Sequence, residues 1–157
     1  MLIPLLAVLV PVLACASVAA WMFCEIKAQK TDHALLCEYA DGIRKAVADE
    51  ITVYENMRAV TPFGDKYPPL TYPSGADLRA LIVISDLIGG EFFDMIRSEG
   101  IIGGELFAEM QRCEEVLLDR KLAYSRRATR ILYREKTFPH SFAVSFSGVP
   151  EPELIGF

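Results

Sequence analysis

The chain has 157 residues, a formal net charge of −5 and a pI near 5.1. This acidity argues against a protein that binds nucleic acid through its overall charge, and the length corresponds to about one domain. Hydrophobic residues make up 52% of the chain, and its mean hydropathy of +0.28 is high for a soluble domain and points to a strongly apolar segment.

The first 24 residues form that segment. The stretch MLIPLLAVLVPVLACASVAAWMF, residues 1–23, contains no charged side chain and exceeds the ~20 residues that a helix needs to cross the hydrocarbon layer. Pro11 would at most kink a membrane helix, and Trp21 suits the lipid–water boundary. Residues 1–24 are therefore predicted to be an uncleaved transmembrane anchor, which makes the chain a single-pass protein of the inner (cytoplasmic) membrane.

Two alternatives stay open for this segment. Cys15 follows a small residue, Ala14, so a lipoprotein signal that is lipidated at Cys15 is one of them. A cleaved signal peptide is the other, although no Lys or Arg precedes Lys27. Because Lys27 and Lys30 follow the span, the positive-inside rule predicts that the bulk of the chain lies in the cytoplasm, with the periplasm or another compartment as the alternative.

Residues 25–60 predict the first helix of a bundle. Nothing between Phe23 and Lys30 would end a helix, so the anchor is expected to continue into it. Further along, apolar residues recur every three or four positions and therefore share one helix face: Leu36, Ala40, Ile43, Val47, Ile51, Tyr54 and Met57. A proline-rich loop follows at 61–75, which we interpret as a stiff connector rather than a polyproline ligand.

Two further helices are predicted, at about 76–98 and 104–137. Ser74 is the expected N-cap of the former, and glycines 100, 103 and 104 predict the turn after it. The latter helix carries an apolar seam: Phe107, Met110, Leu117, Tyr124, Ala128 and Ile131. The tail, residues 138–157, is expected to be irregular. The predicted fold class is all-α, an N-terminal transmembrane helix that continues into a long antiparallel helical bundle.

The sequence offers no catalytic constellation. Only two histidines occur, His33 and His140, and neither H-E-x-x-H nor E-x-x-H nor a glycine-rich phosphate loop is present. Glu105 and Glu109 stand one helical turn apart and could share a cation, but a solvated helix face is the simpler interpretation. The protein is therefore expected to be non-enzymatic, without a cofactor or a metal site.

Charge is unevenly divided along the chain. Residues 77–119 carry ten acidic and three basic side chains, whereas residues 120–136 carry seven basic and one acidic. This basic flank is expected to meet acidic residues of neighbouring helices or subunits, or anionic lipid headgroups. Nucleic acid is disfavoured, since the chain is acidic and no aromatic platform accompanies the basic residues. At about 100° per residue the arginines of the flank lie beside the apolar seam: Arg120, Arg126, Arg127, Arg130 and Arg134.

The C-terminal third carries a set of residues at a recurring spacing: Glu114, Leu117, Lys121, Tyr124, Phe138-Pro139, Ala143, Phe146 and Gly148. With these residues the chain resembles the LemA family, small bacterial proteins with an N-terminal membrane segment and a long-helix bundle. The resemblance departs at Ser125 and Ile131-Leu132, where the family has Asn and a second Tyr-Asn, so the chain looks like a divergent member. It implies the LemA-like fold but no catalytic residues.

The favoured function is a membrane-associated scaffold or assembly module in membrane or bacterial-envelope organisation. The expected partners are membrane lipids and either further copies of the chain or another membrane protein, without nucleic acid. The alternative is an adaptor or accessory subunit of a larger membrane protein complex. Its docking surfaces would be the 61–75 loop and the apolar tail residues Phe142, Phe146, Leu154 and Phe157.

Overall fold

The structure is a computed structural model that describes residues 2–100 and 104–155, with side chains from Leu9 onward. Every regular element in these ranges is helical, which confirms the all-α prediction. Gly103 and Phe157, to which the sequence analysis gave roles, lie outside the described residues. The α-helices are α1 (Leu2–Val60), α2 (Leu78–Leu87), α3 (Asp94–Glu99), α4 (Glu105–Lys136) and α5 (His140–Ser147).

The chain divides into two compact units. Unit 1 comprises Met1–Leu36 and Arg127–Glu153, and unit 2 comprises Cys37–Arg126 and Leu154–Phe157. The divisions fall inside the two longest helices, so α1 and α4 contribute a stretch to each unit. All seven residues predicted for the seam of α1 are buried, as are five of the six predicted for α4.

The proline-rich loop is tied to unit 2. The Tyr54 hydroxyl donates to the carbonyl oxygen of Pro68 at 2.7 Å, and the Leu70 amide donates to Glu55 Oε1 at 2.5 Å. The ring of Tyr67 meets the ring of Phe92 edge-on, with centroids 5.1 Å apart. A short 3₁₀ helix, Gly64–Lys66, begins the loop. These contacts hold the loop against the C-terminal part of α1.

The second predicted helix is interrupted and begins later than expected. The carboxylate of Asp77, not Ser74, caps α2 by accepting from the Ala80 amide at 2.7 Å. Ser74 is followed by Gly75 with φ +89°, so the chain is still turning there. Two consecutive glycines, Gly89 and Gly90, then fall within a π-helical turn, Ile88–Phe93, that joins α2 to α3. Such turns are rare and frequently accompany functional sites.

The prediction of an irregular tail is wrong for residues 140–147, which form α5. This helix buries Ala143 and Ser147 on one side, so tertiary packing supports a segment too short to be stable alone. Gly148 ends it with φ +65°, the left-handed conformation that glycine adopts at helix C-termini. The Phe138-Pro139 peptide bond before it is cis.

Candidate functional site

Two arginines of the basic flank bind acidic residues of α1 within unit 1. Arg134 Nη2 lies 2.6 Å from Glu25 Oε1, and Arg134 Nη1 donates to Asp32 Oδ2 at 2.9 Å. Arg127 donates to the other carboxylate oxygen of Asp32. Because a seven-residue step along α4 matches a seven-residue step back along α1, the two helices are antiparallel in this unit.

Glu25 is the buried centre of this network. Its side chain is only 7% exposed, and His140 Nδ1 lies 3.0 Å from the same oxygen that Arg134 contacts. Burial raises the pKa of Glu25, but the hydrogen bond and positive charge of Arg134, with a contribution from His140, outweigh it. The pKa therefore lies below its ordinary value, and Glu25 is a stable anion that requires its arginine.

The other three arginines of the flank are exposed. Arg120 lies beside Gly42, where an added Cβ would sit 3.5 Å from its side chain. Arg126 and Arg130 make no ion pair within the described part of the chain. The flank that looked uniform in the sequence therefore contains two structural arginines, Arg127 and Arg134, and three that face solvent.

The residues that carry the LemA resemblance occupy different environments. Tyr124 is buried at 4% exposure on the seam of α4, whereas Phe138 and Pro139 are exposed in the turn between α4 and α5. Gly148 supplies the left-handed end of α5. Tyr124 and Gly148 thus have structural roles in this chain, and Phe138 stands on its surface.

Unit 2 contains a cleft that the sequence analysis did not anticipate. A cavity of about 270 Å³ lies beside the π-helical turn and is lined by Gly89, Gly90 and the side chain of Glu50. Glu50 is 1% exposed, and its Oε2 has no hydrogen-bond partner among the described residues. A buried carboxyl with an unpaired oxygen is uncommon in folded proteins, and this one lines a cavity.

Burial raises the pKa of Glu50 to about 7. A hydrogen bond from Ser85 and the charge of Lys121 oppose this rise, while the carboxylates of Glu114 and Asp86 add to it. Lys121 forms an ion pair with Asp86 at 2.9 Å, and Arg97 forms one with Glu114. The partner of each cation in these ion pairs is therefore a carboxylate other than Glu50. The cleft can therefore hold and release one proton near neutral pH.

A signal for Glu50 is present in the sequence. It stands three residues after Val47 and four before Tyr54, at the spacing of the apolar seam of α1. A carboxylate on an otherwise apolar helix face indicates a buried, titratable group. Glu50 is polar, so apolar spacing alone does not identify it.

No group of three or more His, Cys, Asp or Glu side chains that could hold a metal ion occurs among the described residues. Comparisons with protein-family models, curated proteins and solved structures found no match to this chain. The resemblance to LemA proteins stays a prediction from the motif residues.

Proposed function

We propose that this chain is a non-enzymatic, single-pass membrane protein, LemA-like in architecture, whose helices act as a membrane-associated scaffold or assembly module. The supporting observation is the exposure of the apolar half of α1. An 18-residue window of this helix has a mean hydropathy of 1.9, yet only 6% of the window is buried. A signal sequence passes the same test of length and composition. The lipid interior would cover these side chains: Leu9, Val10, Val12, Leu13 and Val18.

Scaffolding is favoured over catalysis by how the polar groups are used. The buried charges of unit 1 serve to join α1 and α4, and the charged groups around the unit 2 cleft are largely tied into ion pairs. One span would hold this helical protein at a membrane, and apolar side chains outside its core are exposed. Such a protein is suited to association with further copies or with another membrane protein.

If residues 1–24 span the membrane, adding charge to this segment should prevent stable membrane insertion. The double substitution Leu13→Arg and Ala16→Arg is expected to release the chain from membranes after alkaline carbonate washing, since each arginine at mid-membrane costs about 2.5–3.5 kcal/mol on insertion scales. The matched control is Leu35→Arg and Ala34→Arg, which lie beyond the predicted span on the same helix at exposed positions. Equal retention of both variants in the membrane pellet would contradict the anchor.

Self-association tests the scaffold. The detergent-solubilised chain is expected to change from monomer to a defined oligomer as its concentration rises, measured by light scattering with the detergent contribution subtracted. A monomer at every concentration, with no partner retained on purification, would contradict the scaffold. Recovery of a fixed heterologous partner in stoichiometric amounts would instead support the adaptor alternative, which the exposed apolar side chain of Leu154 in the tail favours.

A further inference from the structure

Helix α5 carries an aromatic face that is more than half exposed in the described structure. Phe142 and Phe146 stand one turn apart, are 54% and 60% exposed, and their ring centroids lie 5.3 Å from each other. Phe138, just before the helix, is 86% exposed. Another side of α5, about 100° around the helix from the two rings, is packed through Ala143 and Ser147. Large exposed apolar groups that cluster in this way mark an interaction surface.

The position of α5 along α1 is fixed by contacts within unit 1. From the Arg127–Asp32 pair to the Arg134–Glu25 pair, α4 advances seven residues, about 10 Å, toward the apolar end of α1. Two residues later α4 ends. His140, the first residue of α5, then lies 3.0 Å from Glu25 and has its ring centroid 6.1 Å from that of Trp21.

Those two contacts place the start of α5 at the end of the predicted span. Trp21 belongs to the 24-residue anchor, and Glu25 is its first charged neighbour. Tryptophan at such a position sits at the level of the lipid headgroups, a layer roughly 5–8 Å thick on each side of the hydrocarbon. Phe138 and Phe142, each two residues from His140, therefore lie within reach of that layer.

We propose that the aromatic face of α5, formed by Phe138, Phe142 and Phe146, inserts into the lipid headgroup layer beside the transmembrane helix. This rests on the proposed function, because it requires α1 to span the membrane. Helix α5 contains no Asp, Glu, Lys or Arg, so no ionised carboxylate or ammonium of its own opposes insertion. The exposed Arg130 and Lys136 on the adjoining part of α4 suit anionic lipid phosphates.

Lipid is a better occupant of this face than a second copy of the chain. The aromatic face begins at the level of Trp21, where the medium around a lone transmembrane helix is the bilayer itself. Phenylalanine rings gain from entering the boundary between headgroups and acyl chains, the depth at which interfacial helices bury their apolar side. Arg130, Lys136 and the aromatic face of α5 would then all contact lipid.

Tryptophan fluorescence tests the proposal in the full chain. Trp21 is the only tryptophan, so its fluorescence reports on the anchor. The chain is placed in vesicles of phosphatidylcholine and phosphatidylglycerol whose acyl chains are brominated near the headgroup end. The double variant Trp21→Phe, Phe142→Trp moves the reporter to α5, and Trp21→Phe, Phe146→Trp provides a second position on the same face. Trp21→Phe, Leu35→Trp is the control, since Leu35 is exposed on α1 of the same unit, about 21 Å along the helix from Trp21.

The expected result is that brominated lipid quenches both α5 reporters by a fraction comparable with its quenching of Trp21. The Leu35 reporter should instead be quenched by aqueous iodide and not by the lipid. Quenching of Trp21 without quenching of either α5 reporter would overturn the inference while leaving the anchor intact; protection from iodide would then indicate a protein partner or a second copy. An unquenched Trp21 would contradict the anchor itself and the inference with it.

Discussion

Replacing Glu50 with glutamine is expected to raise the free energy of unfolding at pH 8 by up to about 3 kcal/mol, since each unit of pKa difference corresponds to about 1.4 kcal/mol. The carboxyl has a pKa of about 7 in the folded chain against an ordinary value of 4.5. At pH 8 the wild-type protein must keep a charged carboxylate in a buried site. Glutamine keeps the shape and the hydrogen-bonding capacity without the charge.

The pH dependence has a definite sign. Between pH 4.5 and 7 the folded chain binds more protons at Glu50 than the unfolded chain does, so stability falls as pH rises through this window. The stabilising contribution of the protonated carboxyl is fully present below pH 4.5 and is lost as pH passes 7. The variant should lack this dependence, so its advantage over the wild type should grow from pH 5 to pH 8.

Urea unfolding of both proteins in detergent micelles across this range measures the effect. Taking the difference between the two proteins removes the contributions of those titrating groups that do not interact with Glu50. The control is Glu38→Gln, an exposed glutamate of the same helix, which should stay within about 0.5 kcal/mol of the wild type at every pH. A difference for Glu50→Gln that does not change with pH would contradict the buried, proton-holding carboxyl.

Replacing Arg134 with glutamine is expected to destabilise the protein by about 2–3 kcal/mol, because a buried carboxylate that loses its cation is strongly unfavourable. Glu25 would keep only His140 nearby, and Asp32 would keep Arg127. Arg134 is 31% exposed, so solvent screening reduces the loss from that of a fully buried pair. Thermal and urea unfolding at pH 7 provide the measurement.

Arg130→Gln is the matched control, since Arg130 lies one helical turn away on α4 and is exposed. Its effect should be within about 0.5 kcal/mol. The double variant Arg134→Gln, Glu25→Gln should recover part of the lost stability, because it removes the uncompensated charge as well as the pair. Equal effects of Arg134→Gln and Arg130→Gln would show that the ion pairs with α1 contribute nothing.

Apolar periodicity predicted the long helices well because their seams are buried. The repeat from Leu36 to Met57 marks the packed face of α1, and nothing in the sequence between Phe23 and Lys30 ends a helix, so the continuous Leu2–Val60 helix follows. Helix α5 escaped prediction because prolines and serines surround it. Its signal was local: Phe142 and Phe146 are spaced by one helical turn, and Gly148 follows Phe146 by two residues.

Helical angle alone could not divide the arginines. Arg126 and Arg127 are neighbours in sequence, yet Arg127 binds Asp32 whereas Arg126 is exposed. Which of them faces α1 depends on the packing of α4 against α1, a contact between residues 95 positions apart. The interior position of Glu50 also depends on tertiary packing, with α2 supplying Ser85 and α4 supplying Lys121.

The most direct measurement for the membrane anchor is the intact mass of the chain recovered from carbonate-washed membranes. The anchor predicts that the 17.5 kDa chain is retained in the pellet with residues 1–24 still attached. Recovery from the supernatant, or a mass that lacks those residues, would contradict the claim that α1 holds this protein in the membrane.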